Sequence, residues 1–199
     1  MFNKNIKNEM KNNKSITVSK LLDLFGSNSF FYLLFVITFI TSIPSPSWGL
    51  GSSTIPGGLV VLFVSLQILL GFEHIYLPEF LQKYKIKIKY LKFMEKYLNK
   101  LKNKSAKNVD FFKNKIVNKV SALFMIPCAI FMLIPLIFTN WAPSFCVTLI
   151  SISHILKNSI LLKFVYVAII LMILFYFYFF KFIIIYTKKF LKKFNINWK

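Results

Sequence analysis

Two polar side chains inside apolar stretches of this chain are its clearest candidates for chemistry. His154 lies in a stretch from Phe145 to Leu156, and Gln67 lies in one from Ile55 to Phe72. Polar groups at membrane depth are candidates for function because they are costly to keep there. His154 could instead be an interfacial histidine, since Lys157 follows it within one helical turn. Gln67 could equally bond a neighbouring helix rather than a substrate.

Prolines and glycines beside these stretches form the second group of candidates. A proline-broken helix leaves backbone carbonyl groups without partners, and in transporters such groups and helix termini bind substrates or ions. The segments PSPSWGLGSSTIPGG, from Pro44 to Gly58, and TNWAP, from Thr139 to Pro143, have this character. The predicted substrate-binding set is therefore Pro44, Pro46, Pro56, Gly57, Gln67, Asn140, Pro143 and His154.

The sequence contains no recognisable catalytic or metal-binding motif. Cys128 and Cys146 lie in apolar stretches without a histidine or a second cysteine at metal-ligand spacing, which favours a role as small core side chains. We find no pair of carboxylates within reach, no phosphate-cradling glycine loop and no Ser-His-Asp set. We therefore expect no catalysis, no bound metal and no other cofactor.

The stretches that carry these residues indicate an all-α integral membrane protein. The 199 residues are 56% hydrophobic, which exceeds what a soluble domain of this length can bury. Lysine-rich segments separate five apolar blocks, at 30–43, 55–72, 120–138, 145–156 and 160–186. A straight helical crossing of a bilayer needs about 20 residues. The last block is long enough for this, whereas the first block is too short. The first two blocks therefore form a helical hairpin that either crosses the bilayer or dips into it.

A basic segment joins the two halves of the chain. Its residues Leu91, Met94, Leu98 and Leu101 share one helical face, which predicts an amphipathic helix at the membrane interface. The preceding sequence KYKIKIKYL has the period-two pattern of a strand. A lone strand beside a membrane would lack a partner, so a distorted helix or an extended chain is the favoured interpretation.

The block pattern divides the chain into three parts. We interpret 1–14 as a disordered basic N-terminus, 15–187 as a single membrane domain and 188–199 as a basic tail. Within the membrane domain, repeat one covers 28–78, the amphipathic linker 79–119, repeat two 120–159 and a long C-terminal transmembrane helix 160–187.

The two halves have similar sequences. Each contains a Pro/Gly-broken helical hairpin, and Pro56 and Gln67 in IPGGLVVLFVSLQILLG correspond to Pro143 and His154 in APSFCVTLISISHILKN. Inverted or parallel repeats of broken helices are typical of transporters whose site lies between the repeats. We expect the loops beginning at Pro44 and Pro135 to meet at one polar cavity, with Gln67, Asn140 and His154 around it. Two separate hairpins without a common site are the alternative.

The charge distribution predicts both partners and orientation. The net charge is +20, but the lysines flank apolar blocks and accompany no base-stacking or zinc motif. Anionic lipid headgroups, rather than nucleic acid, are the predicted partner, and a homo-oligomer is an open alternative. Five lysines precede Leu21 and thirteen lie from Lys83 to Lys119, so the positive-inside rule places both segments in the cytoplasm. No small-residue cleavage site follows the N-terminus, and we expect no removed signal peptide.

Several motifs, in their order and spacing, resemble the ExoD family of bacterial membrane proteins, named for exopolysaccharide synthesis. The resemblance covers residues 16–187 and rests on ITVSKLLDLFG, IPSPSWG, IPGGLVVLFVSLQILLG and YLPEFL, followed by Pro135, Asn140 and Pro143. The chain departs from the family at a turn that tends to read Gly-Leu-Leu-Glu-Arg-Asp-Gly. Here residues 153–159 read SHILKNS.

The resemblance implies a multi-pass protein of the bacterial inner membrane that is linked to exopolysaccharide production. It implies no known reaction, cofactor or catalytic residue. Together with the broken repeats, it favours a protein that moves an ion or a small solute. The competing interpretation is a non-transporting accessory subunit of an envelope glycan or lipid assembly, and a weaker third one is an enzyme that acts on lipid-linked sugars.

Overall fold

The computed structural model describes residues 8, 13–25, 29–42, 54–72, 74–83, 85–102, 108–134 and 141–193. The predictions for Pro44, Pro46, Pro135 and Asn140, for most of 1–14 and for the end of the basic tail lie outside these residues. The described elements are, in chain order, β1 (Ser15–Thr17), α1 (Val18–Phe25), α2 (Ser29–Thr41), α3 (Thr54–Leu70), α4 (Glu79–Gln82), β2 (Lys85–Lys87), α5 (Ile88–Lys102), α6 (Val109–Lys113), α7 (Lys115–Leu133), α8 (Trp141–Leu156) and α9 (Ser159–Lys193).

Five of the described helices, all apolar, form the centre of the fold. Helix α3 packs most extensively on α7, α2 packs on α8, and α9 packs along α8. Helices α2 and α3, from the first half, thus each pair with a helix of the second half. The buried side chains of these helices belong to one continuous hydrophobic core, in which Leu33, Val61, Met125 and Ile150 are fully buried.

Glycine allows the close approach of α3 to α7. A Cβ atom on Gly58 would lie 3.1 Å from Met132 Cβ and 3.3 Å from the carbonyl oxygen of Ala129. Both atoms belong to rigid parts of α7, so a larger residue at this position would push the two helices apart. Gly57 faces flexible side chains instead, with Thr41 Cγ2 at 3.1 Å and Met132 Cε at 3.7 Å.

The predicted helical class is confirmed, with one departure. The alternating sequence KYKIKIKYL was expected to be distorted helix or extended chain, but Lys85–Lys87 forms a strand. Its antiparallel partner is Ser15–Thr17, with Ile16 opposite Ile86 and both side chains buried. The sequence prediction failed because the partner strand comes from the N-terminal segment, about 70 residues earlier, where three residues gave no strand signal.

Helix α5 follows this sheet and shows the predicted amphipathic pattern. Leu91, Met94 and Leu98 are buried, whereas Lys92, Lys96 and Lys100 are exposed. The apolar face packs within the protein, partly against α8, and so is covered by this chain. Phe93 and Tyr97 at its edge contact Phe39 of α2 and remain about half exposed.

Two of the described helices are long and apolar enough to cross a membrane. They are Lys115–Leu133 and the segment Ser159–Lys189 of α9. Helix α7 begins five residues before the predicted block, and α9 continues through Lys193 into the predicted tail. Shorter apolar helices cover Ser29–Phe39, Gly57–Leu70 and Trp141–Leu156.

Candidate functional site

The two prolines of the predicted set that the structure describes begin helices. Pro56 is the third residue of α3, and Pro143 is the third residue of α8. The first N–H groups of a helix have no partner within the helix, so proline costs little at these positions. Both prolines thus lie in the first turn of the helix that follows a predicted broken segment. Trp141 is the first residue of α8.

Gln67 of the predicted set closes a turn at the end of α3. Its Nε2 donates to the carbonyl oxygen of Tyr76 at 2.8 Å, and its Oε1 accepts from the N–H of Tyr76 at 2.9 Å. The side chain is 5% exposed. One amide thus makes the two hydrogen bonds of a strand pair and holds the backbone of Tyr76 against α3, which is a structural role for Gln67.

His154 of the predicted set joins three helices near the end of α8. Its Nε2 lies 2.6 Å from Ser121 Oγ on α7, and that hydroxyl lies 2.7 Å from the Tyr166 hydroxyl on α9. The imidazole stacks on Phe31 with ring centres 3.7 Å apart, and Phe112 meets it edge-on at 4.9 Å. The ring is therefore fixed in orientation by two aromatic rings and one hydroxyl.

A second polar cluster, which was not predicted, lies between α2 and α8. Thr41 Oγ1 is 2.6 Å from Ser144 Oγ, Ser42 Oγ is 3.1 Å from Thr148 Oγ1, and Thr148 Oγ1 donates to Thr38 Oγ1 at 2.9 Å. Ser144 Oγ also donates to the carbonyl oxygen of Thr38. A signal was present in the sequence, because Ser144, Thr148 and Ser151 recur every three or four residues in α8 and Thr38 and Thr41 lie three residues apart in α2.

The cluster and His154 are parts of one buried polar line along α8. Ser144, Thr148, Ser151 and His154 follow each other at intervals of four, three and three residues, and each is at most 8% exposed. Such spacing puts all four on one face of a helix. On the facing helix α2, Leu34 and Phe35 are fully buried between Thr38 and Phe31.

A cavity lies at each end of this line. The cavity near the start of α8 has a volume of about 260 Å³ and is lined by aromatic rings, including Tyr97 and Trp141, together with the hydroxyls of Ser42 and Thr148. The cavity near the end of α8 has a volume of about 420 Å³, and His154 is part of its wall. Gln67 lines neither of the two. Gln67 and His154 thus do not share either of these two cavities.

Four lysines give the larger cavity a basic wall. Lys113 and Lys115 come from the junction of α6 with α7, Lys119 from the next turn of α7, and Lys157 from the end of α8. Among the described residues, no group of three or more His, Cys, Asp or Glu side chains is placed to hold a metal ion. Cys128 and Cys146 are free thiols buried in the core.

Comparison with known proteins agrees with the resemblance seen in the motifs. The family model described as exopolysaccharide synthesis, ExoD, matches residues 4–178. No curated protein and no solved structure shows a significant match to the chain. The matched region contains all of the helices α1 to α8, both cavities and most of α9. The chain therefore belongs to the ExoD family, whose description implies a role in exopolysaccharide synthesis.

Proposed function

We propose that this protein is a membrane-embedded component of exopolysaccharide synthesis, seated in the bacterial inner membrane with several helices in the bilayer. The observation that carries the proposal is the outer surface of α9. Its exposed side chains are mostly large and apolar, among them Phe164, Leu171, Phe175 and Tyr178, each more than 60% exposed. Soluble monomers rarely expose an apolar surface of this extent, and lipid is the medium in which it is stable.

Loss and restoration of polymer production test this proposal. Deletion of the gene in its native bacterium should lower secreted exopolysaccharide, measured as polymer mass per cell, and the full chain should restore it. The variant Phe175→Lys should restore less, because a charge in the middle of a lipid-facing helix costs about 3 kcal/mol. Lys92→Gln, on the exposed face of α5, is the control and should restore polymer fully. Unchanged polymer after deletion would contradict the proposed role.

Passage of an ion or small solute is a second candidate function, and the polar line along α8 favours it. The line connects two cavities, and its hydroxyl groups can each donate and accept hydrogen bonds. Leu34 and Phe35 are fully buried on α2, which packs on α8, so passage along the line would require α2 to move relative to α8. This candidate differs from an accessory subunit in one measurable property, which is flux across a sealed membrane.

Flux into liposomes separates the two candidates. If solutes pass, the reconstituted chain should carry at least one member of a panel of ions and small polar solutes. Thr148→Val, which removes one hydroxyl of the line at nearly constant volume, should then reduce the rate. Thr187→Val makes the same change on the exposed surface of α9 and should leave the rate unchanged. No flux of any panel member would favour the accessory subunit.

A further inference from the structure

We infer that the larger cavity, beside His154, is a binding site for a phosphate group. The cavity has a volume of about 420 Å³ and opens where α3 and α8 end and where α7 begins. Four lysines line it, namely Lys113, Lys115, Lys119 and Lys157, together with His74 and His154. This inference concerns a ligand site and does not depend on whether any solute crosses the membrane.

The described wall of this cavity is strongly basic, with four lysines. No acidic side chain is among the described residues that line it. Asp110 lies near its rim, where its Oδ1 accepts from Lys113 Nζ at 2.9 Å in an exposed ion pair. Like charges that converge on a concave surface repel one another, and the apolar walls contributed by Phe31 and Phe112 strengthen the repulsion. An anion would offset it.

The helix dipoles do not account for the lysines on α7. Lys115 and Lys119 lie in the first two turns of this helix, at the positive end of the helix dipole. The first turn contains no acidic residue. A cation is disfavoured at this end, whereas an anion is favoured by both the dipole and the lysines. The N-cap is already supplied by Asn114, whose Oδ1 accepts from the N–H of Ile116 at 2.9 Å. The lysines therefore have no role in capping.

Lys157 occupies a backbone position that normally selects glycine. It ends α8 with a φ of 56°, where its N–H bonds the carbonyl of His154 and the next N–H bonds that of Ser153. Helix α3 ends with the same pair of bonds, but there Gly71 takes the left-handed position, with a φ of 85°. A Cβ is disfavoured in this conformation. The chain thus places a lysine facing the cavity where glycine would be more stable.

A phosphate group fits these features better than a carboxylate does. Lysine binds phosphate as a point charge, and several lysines around one cavity suit a group with two negative charges. The volume exceeds that of inorganic phosphate, so it has room for a diphosphate or for the first atoms of what the phosphate is attached to. Two sources share this chemistry, namely a soluble phosphate compound and the headgroup of an anionic lipid.

Binding to the purified full chain distinguishes these sources. In neutral detergent, the soluble probe is pyrophosphate, and the readouts are titration calorimetry and the rise in melting temperature. In nanodiscs of phosphatidylcholine, the lipid probe is phosphatidic acid, added at a few mole per cent. Lys119→Gln and Lys157→Gly remove cavity charges. Lys92→Gln and Lys100→Gln, on the exposed face of α5, remove the same charges elsewhere.

We expect each cavity variant to weaken binding of at least one probe about tenfold or more, as loss of a charge-assisted contact does. The α5 variants should bind as the parent does. Lys157→Gly should melt at the same temperature as the parent or higher, so weaker binding by this variant cannot come from unfolding. Loss confined to pyrophosphate identifies a soluble ligand, and loss confined to phosphatidic acid identifies a headgroup. Absence of binding by both probes, or equal binding by cavity and α5 variants, would overturn the inference.

Discussion

At the scale of single residues, the polar side chains of the core have two kinds of use. Gln67 forms hydrogen bonds with the backbone of Tyr76, and Ser144 donates a hydrogen bond to a backbone carbonyl near the end of α2. His154 differs, since it forms part of a cavity wall as well as a hydrogen-bond chain. The sequence identified His154 and Gln67 as rare polar groups, but residue type alone could not separate these uses. The role of Gln67 depends on the position of Tyr76 beside it, and no periodic pattern in the sequence predicts that position.

The structural use of Gln67 predicts a loss of stability without a loss of ligand binding. Gln67→Leu should lower the free energy of unfolding by about 1–2 kcal/mol, because the N–H and carbonyl of Tyr76 lose their partner. In a chain of this size the melting temperature should fall by several degrees. Asn99→Leu makes a similar change on the exposed face of α5 and should have little effect. If the Gln67→Leu protein had parental stability but bound ligand more weakly, Gln67 would belong to the ligand site and this structural role would be contradicted.

At the scale of elements, the apolar blocks predicted the helices well and their ends less well. The predicted blocks at 30–43 and 55–72 correspond to the helices Ser29–Thr41 and Thr54–Leu70. Helix α8 begins four residues before its block because Trp141 and Pro143 fit a first turn. The sequence could not predict which helices pack against each other, because any two apolar helix faces can be packed together. Close contacts such as that at Gly58 determine the pairing, and they depend on the three-dimensional arrangement.

The seam between α3 and α7 predicts different effects for two adjacent glycines. Gly58→Ala should destabilise the protein by about 1–3 kcal/mol, because its new methyl group meets Met132 Cβ and a backbone oxygen. Gly57→Ala should cost less, since the side chains of Thr41 and Met132 can move aside. Thermal unfolding of both variants in the same detergent measures the difference. Equal effects would show that the two helices do not approach as closely as described.

At the scale of the whole molecule, the lysines should determine orientation. We expect the central basic segment to face the cytoplasm, because a dense group of lysines is retained on that side of the inner membrane. A single cysteine at Lys96, with Cys128→Ala and Cys146→Ala, should resist a membrane-impermeant maleimide in intact spheroplasts. The same cysteine should react in inverted vesicles. Reaction in intact spheroplasts would place the segment outside and reverse the orientation.

The central claim is that α9 faces lipid, and spin labels on that helix test it most directly. Single cysteines at Leu171 and Phe175, in the same background and in nanodiscs, would carry the label, and Lys96 would carry it as the reference. Collision rates with oxygen, which concentrates in lipid, are compared with those of a water-soluble nickel chelate. We predict that oxygen dominates at Leu171 and Phe175 and that the chelate dominates at Lys96. Dominance of the chelate at the two α9 positions would mean that this apolar surface is not in the bilayer, and would contradict the proposed membrane function.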